Sequence, residues 1–247
     1  MAAALRSVKP GWILLLVVTV YAGAMTVVAR QARAEVRELR LAEAARSDPS
    51  EADASDAAAR AAPAGLWFPV PGATLPSDDA HLPGAVRAYR DGVSQGFDFY
   101  GGEAGVPIVL GTPVIAATAG TLVRLDRAYE EPDADAWDAL LNAVADGASE
   151  EQLDRLRGRQ AWLEAADGTV FRYGHLDAIE PDLRVGDTVH RGQVIARAGN
   201  SGTDDGVRGS SDGVRLHFEI WEDGAFLGAG LEPAAVRAEA AARFVGP

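Results

Sequence analysis

The first pattern along the chain is an uncharged run near the amino terminus. The 20 residues of positions 10–29 carry no charge, and a helix of that length spans about 30 Å, the thickness of a bilayer core. We predict a transmembrane anchor over residues 10–29, after a short tail of residues 1–9. The alternative is a cleaved signal peptide, because Ala22-Gly23-Ala24 resembles a small-residue cleavage site. Basic residues lie on both sides of the run, so they do not set its orientation.

A second pattern fills most of the remaining chain. Residues 30–65 are charged and alanine-rich, which predicts a helical or disordered linker. From residue 66 to about 235, short runs of alternating apolar and polar residues are separated by glycine-rich turns. That pattern is typical of antiparallel strands. We therefore predict a mainly β domain with an antiparallel sheet, followed by a C-terminal helical segment over residues 236–247 whose helix begins near Pro233.

One stretch inside the β region has the period of a helix. Four apolar residues recur three and four positions apart: Trp137, Leu140, Leu141 and Val144. Gly147 can end this helix, and Ser149 with Gln152 forms a capping box for a second one. The sequence thus predicts a helical hairpin, inserted at about residues 127–158. Such a hairpin either packs as a decoration of the core or covers a groove as a lid.

Composition and charge exclude several kinds of partner and site chemistry. The net charge of −13 argues against nucleic acid as a partner, because phosphate binding relies on clustered basic residues. The absence of cysteine excludes disulfides, thiolate metal sites and a cysteine nucleophile. Lys9 is the only lysine, so arginine supplies every other strong positive charge.

Candidate chemistry lies on two predicted strands. In "RLHFEI", strand alternation puts Arg215, His217 and Glu219 on one face and three apolar residues on the other. In "GFDFY", Asp98 points away from the two phenylalanines that flank it. His175 ends another strand, in "RYGHLD". Histidine and carboxylate side chains that converge in this way are typical of a catalytic zinc site, which needs three protein ligands and an open position.

The order of several motifs carries a family resemblance. "GFDFY", "GTPVIAATAGTLV", "DGTVFRYGHLD", "VGDTVHRGQVIARAGNSGT" and "LHFEIW" together resemble the lysostaphin/LytM-type zinc metallopeptidases, which cut the peptide cross-links of bacterial peptidoglycan. The resemblance covers about residues 66–235 and implies their barrel-sandwich core of antiparallel strands. It also implies three motifs, His-x-Gly-x-Asp, His-Leu and His-x-His. The first histidine, the aspartate and the last histidine of the set bind zinc, and the other two histidines assist the activated water.

This sequence matches the family's site only in part. Asp98 and His217 match two zinc ligands, and His175 matches one catalytic histidine. Ser94 stands where the third ligand should be, and Arg215 replaces the other catalytic histidine. A serine hydroxyl is a poor zinc ligand, and a guanidinium repels a divalent cation. We therefore expect zinc to be absent or weakly bound, and we hypothesise that Arg215 neutralises Asp98 instead.

Two further histidines could in principle complete the site. His81 lies in a loop and His190 in a predicted exposed hairpin. Neither is expected to reach the metal position, because ligand sites require convergent geometry.

Three functions remain open. The first is a pseudoenzyme that binds peptidoglycan or a cell-wall hydrolase, with a groove lined by Tyr173, His175, Arg215 and His217. The resemblance then implies a membrane-anchored domain outside the cytoplasm, or a secreted one if the signal is cleaved. The second is an active zinc peptidase that uses Asp98, His175 and His217, completed by Ser94 or water. The third is an adaptor similar to biotinyl and lipoyl domains, although their lysine attachment is impossible here because Lys9 precedes the anchor.

Overall fold

The computed structural model describes residues 65–246 of the chain. The predicted tail at residues 1–9, the anchor at residues 10–29 and nearly all of the linker at residues 30–65 lie outside the described residues, so these three assignments stay predictions. Within residues 65–246, none of the helices combines the length and apolar character needed to cross a membrane.

Short strands dominate the described part of the chain. The strands are β1 (Val86–Arg87), β2 (Gly92–Val93), β3 (Phe97–Tyr100), β4 (Pro113–Ile115), β5 (Gly120–Leu125), β6 (Ala161–Glu164), β7 (Val170–Gly174), β8 (Leu176–Ile179), β9 (Thr188–Val189), β10 (Val194–Ala198), β11 (Arg215–Glu222) and β12 (Ala225–Phe226). The α-helices are α1 (Ala134–Val144), α2 (Glu150–Leu156), α3 (Asp204–Val207) and α4 (Pro233–Arg243). Two 3-10 turns occupy Asp79–His81 and Ala88–Arg90.

The strands form three sheets, and every strand pair is antiparallel. The largest sheet has the order β12-β11-β7-β6-β5-β9, with β3 also paired to β11. A second sheet has the order β4-β10-β8, and β1 pairs with β2 alone. The predicted mainly β, antiparallel fold is confirmed. The central strand β11 holds the site in register, because it places His217 opposite both Asp98 of β3 and Gly174 of β7.

Side-chain alternation on β3 and β11 separates the core from the site. Phe97, Phe99, Leu216, Phe218 and Ile220 are buried in the main hydrophobic cluster. Burying each of these side chains stabilises the fold by about 1.5–3 kcal/mol. The intervening polar residues project from the opposite side of the same strands. The alternation predicted for "RLHFEI" and "GFDFY" is therefore confirmed.

The predicted helical hairpin is confirmed between β5 and β6. Its second helix, α2, starts with the expected capping box: Ser149 Oγ accepts from the Gln152 N–H, and the Gln152 side chain accepts from the Ser149 N–H. The apolar residues form a small core of their own, separate from the main cluster: Trp137, Leu140, Val144, Leu153 and Leu156. The last helix, α4, begins at Pro233 as predicted but ends at Arg243, so its predicted continuation over residues 244–246 was wrong. The backbone of Phe244 is extended, and its ring stacks on Phe68.

Candidate functional site

A cavity of about 360 Å³ opens above the polar side of β3 and β11. Its apolar wall comes from the helical hairpin, through Trp137, Leu141, Leu153 and Leu156. Its floor is charged, and a further wall comes from the β1–β2 segment. The Trp137 indole N–H donates to Asp204 at the start of α3, which ties the hairpin to the cavity rim (2.5 Å). The insertion thus forms one wall of the cavity, and its movement as a lid stays a prediction.

Asp98 and His217 form the centre of the cavity floor. The Asp98 Oδ1 lies 2.7 Å from His217 Nδ1, and His217 Nε2 lies 3.1 Å from Glu219 Oε1. Both ring nitrogens therefore face carboxylate oxygens, and a protonated ring donates to both. Burial opposes protonation, but the two carboxylates outweigh it and raise the pKa of His217. Burial alone would raise the pKa of Asp98, yet the charge and hydrogen bond of His217 hold it well below its usual range.

Two guanidinium groups also contact Asp98. Arg215 Nε lies 3.6 Å from Asp98 Oδ1, within ion-pair distance as the sequence predicted. Arg87 approaches more closely, because its Nη2 donates to Asp98 Oδ2 at 2.7 Å. Arg87 was not among the site residues predicted from the sequence. The carboxylate is 7% exposed, so its charge is balanced by protein groups and hardly at all by solvent.

His175 is held between Arg215 and the backbone. Its Nε2 lies 2.7 Å from Arg215 Nη2, and its Nδ1 lies 2.7 Å from the Ser201 carbonyl oxygen. A guanidinium can only donate, so Nε2 accepts and Nδ1–H donates to Ser201. Burial, followed by the charges of Arg215 and His217, lowers the pKa of His175. The residue also has a positive φ of 56°, a strained conformation that is common at functional sites.

Glu219 anchors the other end of the floor. Its side chain is 1% exposed and accepts from Arg157 Nε at 2.6 Å and from Arg172 Nη1 at 3.3 Å. The Trp221 indole N–H also donates to it, at 2.5 Å. Burial would raise the pKa of Glu219, but the hydrogen bond from His217 and the charge of Arg157 lower it strongly. Arg157 directly follows α2, so this pair connects the helical hairpin to the sheet.

Ser94 and Tyr173 were both predicted as site residues, but only Ser94 lines the cavity. Ser94 lines the cavity and is 1% exposed, with its hydroxyl donating to the Gly96 carbonyl at 3.0 Å. Tyr173 was predicted to line the groove, and this prediction was wrong. Its side chain is fully buried against Phe218, and its hydroxyl accepts from the Ala117 N–H. The reason is strand alternation, since Tyr173 lies on the core face of β7.

The two other histidines lie away from the cavity floor. His81 is half-buried and its ring contacts the ring of Tyr100, with centroids 4.8 Å apart. His190 is exposed just after β9. Neither belongs to the cavity lining or to the cluster of possible ligands in the described range.

The cavity floor can be tested as a zinc site. Asp98, His175 and His217 each offer a ligand atom, and these atoms lie within 4.8 Å of one another. Zinc needs their free lone pairs. Here the His175 Nε2 accepts from Arg215, while the two Asp98 oxygens accept from Arg87 and His217. Both guanidinium charges would also repel a divalent cation at this distance. The residues as arranged therefore do not fit a zinc ion.

Comparison with known proteins shows which family part of the chain resembles. The family model described as Peptidase family M23 matches residues 138–228. The match covers less than half of the chain, so similarity to peptidase family M23 is shown for this segment. The M23 match contains His175, Arg215 and His217, whereas Ser94 and Asp98 precede it. The family model confirms the resemblance to lysostaphin/LytM-type peptidases at the level of the family. Among curated proteins, none matches the chain.

Three solved structures illustrate what the chain is similar to. A zinc-containing peptidase from Vibrio cholerae is 23% identical, with a TM-score of 0.40, over 66% of this chain and 38% of that protein. The catalytic domain of lysostaphin from Staphylococcus simulans is 22% identical, with a TM-score of 0.36, over 59% of this chain and 82% of that domain. The SpoIIQ-SpoIIIAH pore-forming complex gives 20% identity, a TM-score of 0.40, and coverage of 66% and 87%. These TM-scores are too low for the likeness to carry an argument about function.

The Glu219 network predicts a large effect on stability. Replacing Glu219→Gln removes the charge that balances buried Arg157, and breaking such a buried pair costs about 3–5 kcal/mol. Glu222→Gln on the same strand is the matched control: its side chain is 37% exposed and pairs with Arg243. That change should cost at most about 1 kcal/mol. Free energies of unfolding from urea denaturation measure both, and equal losses would contradict the assigned role of Glu219.

Proposed function

We propose that the chain is a non-catalytic M23-family protein that binds cell-wall peptidoglycan or a cell-wall hydrolase. The observation that carries this proposal is the position of Arg215. Its guanidinium donates to His175 Nε2 and also lies beside Asp98, so it holds the place where the family resemblance implies a metal and an activated water.

The loss of catalysis follows from what the substituted residues can do. Arg215 stays protonated at physiological pH, so it can neither take a proton nor ligate a metal. The Ser94 hydroxyl already donates to a backbone carbonyl and is a weak ligand beside imidazole. His175 uses both ring nitrogens in hydrogen bonds. None of these three residues is therefore poised to activate a water molecule.

Retained binding is supported by the cavity itself. Its volume of about 360 Å³ lies in the range of small-molecule and peptide-side-chain pockets. An apolar wall faces a charged floor, a combination that orients a ligand as well as burying it. This cavity includes the positions at which the family resemblance implies a zinc site, and its size suits binding of a wall peptide or of a partner's loop.

The proposal includes a location outside the cytoplasmic membrane. It is supported by the uncharged run at residues 10–29, which is long enough to span a bilayer. Peptidoglycan lies on the outer side of that membrane, so the M23 domain should face it. A C-terminal reporter that is active only outside the cytoplasm should be active, and an inactive one would contradict this placement.

The alternative is an active zinc peptidase with an altered site. One observation favours it: the ligand atoms of Asp98, His175 and His217 already lie within 4.8 Å of one another. This function would require Arg215 to leave His175 Nε2, and Arg87 to release Asp98, before a metal could bind.

Metal content and wall digestion separate the two functions. The full-length chain, purified in mild detergent, is dialysed against zinc and then against metal-free buffer. We expect far less than one zinc per chain by mass spectrometry, no release of peptides from purified peptidoglycan, and co-sedimentation with the wall or capture of a wall hydrolase.

A stoichiometric zinc signal with peptide release would contradict the proposal. Two variants locate any zinc that does bind. His217→Gln removes a cavity histidine, whereas His190→Gln removes an exposed one and is the matched control. A loss confined to His217→Gln would assign the metal to the cavity.

A further inference from the structure

Arg90 is a buried arginine without a carboxylate partner. It ends the 3-10 turn between β1 and β2, lines the cavity, and is only 9% exposed. Its Nη2 donates to the Val93 carbonyl at 2.5 Å. Its Nε is buried, and no residue in the described range accepts a hydrogen bond from it. The guanidinium therefore has an unsatisfied buried donor, and the residue that carries it lines the cavity.

Arg215 Nε is likewise buried without an acceptor, but each of the other arginines in the cavity lining has a carboxylate partner. Arg87 and Arg215 both contact Asp98, and Arg157 contacts Glu219. Within residues 65–246, Arg90 alone of the four arginines that line the cavity has no carboxylate within ion-pair distance. Burial, with repulsion from Arg87 and Arg157, lowers the pKa of Arg90. A buried charge that lacks a counter-charge is costly to the fold, which indicates that the counter-charge comes from a ligand.

The surroundings narrow the chemistry of that ligand. A carboxylate matches a guanidinium with two parallel hydrogen bonds. A dianion such as phosphate would meet stronger repulsion from the Asp98 and Glu219 carboxylates that share the cavity. The wall formed by the helical hairpin, with Trp137 and Leu153, offers apolar contact. The exposed Tyr89 lies beside Arg90 on the rim.

We propose that Arg90 binds the carboxylate of a ligand whose apolar part packs on the helical hairpin. The carboxylate can belong to the C-terminus of a peptide or to a free small organic acid. This inference rests on the proposed function, because a metal ion in the cavity would itself supply the positive charge for an anion. It adds the residue and the chemical group by which the cavity recognises its ligand.

Calorimetric titration of the full-length chain in detergent and EDTA tests this assignment. N-acetyl-leucine carries a carboxylate and an apolar side chain, and N-acetyl-leucinamide is the same molecule without the charge. We expect the acid to bind about ten- to a hundredfold more tightly than the amide, the effect of one charged hydrogen-bonded contact. Inorganic phosphate should bind more weakly than the acid.

A second pair of probes distinguishes the two sources of carboxylate. N-acetyl-Ala-Ala-Leu and its amide extend the ligand toward the rim. Tighter binding of the peptide acid than of N-acetyl-leucine assigns a peptide C-terminus, and weaker binding assigns a free small acid. Either order supports the carboxylate site, provided that the acid is preferred over its amide.

Arg90→Gln should remove the preference for the acid, whereas Arg155→Gln should keep it. Arg155 is exposed on α2 and serves as the matched control. Arg90→Gln should not lower the melting temperature, because it removes an unpaired buried charge. Equal binding of acid and amide, tighter binding of phosphate, no binding of either acid, or equal behaviour of the two variants would overturn the inference.

Zinc is measured on the same samples before EDTA is added. Near one zinc per chain would refute the proposed function whatever the carboxylates do. A zinc-free chain that ignores carboxylates would refute only the role of Arg90.

Discussion

The polar side of this domain is organised around two buried carboxylates, Asp98 and Glu219, whose negative charges must be compensated. They project from β3 and β11 on the face away from the aromatic core, where solvent cannot balance their charge. A buried carboxylate destabilises a fold unless a positive group and hydrogen bonds compensate it. The compensation comes from His217, whose ring lies between the two carboxylates, and from guanidinium groups: Arg87 and Arg215 for Asp98, and Arg157 for Glu219. The structure thus neutralises its site with the chain's own side chains.

The same contacts give the cavity its form. Arg157 follows α2, so its bond to Glu219 fixes the helical hairpin against the sheet and holds the apolar wall over the charged floor. Arg215 fixes His175 in one tautomer, with Nε2 as acceptor. Arginine suits these positions better than lysine, because its planar group reaches two acceptors at once. A site organised in this way is preorganised, which lowers the cost of binding a ligand as the proposed function requires.

The local pattern of polar and apolar residues predicted the fold, but it predicted only part of the site. Alternation in "RLHFEI" predicted which side chains of β11 meet the core, and the spacing of Trp137 to Val144 predicted α1. The partners of Asp98 were harder to predict, because Arg87 precedes it by 11 residues in β1, a two-residue strand too short to show a periodic signal. Tyr173 was misplaced because a residue next to a site in sequence can face the opposite side of its strand. Ion pairs between distant elements depend on tertiary structure, so no local sequence pattern predicts them.

The central claim is that the Arg215 guanidinium takes the place of a metal ion, and restoring the family's histidines tests it most directly. Zinc affinity is measured by calorimetry for the unmodified chain, Ser94→His, Arg215→His and the double variant. The account predicts that only the double variant gains tight, stoichiometric binding, because it removes the charge of Arg215 and also supplies a third ligand. Tight zinc binding by the unmodified chain, or a double variant that binds no better than it, would contradict the account.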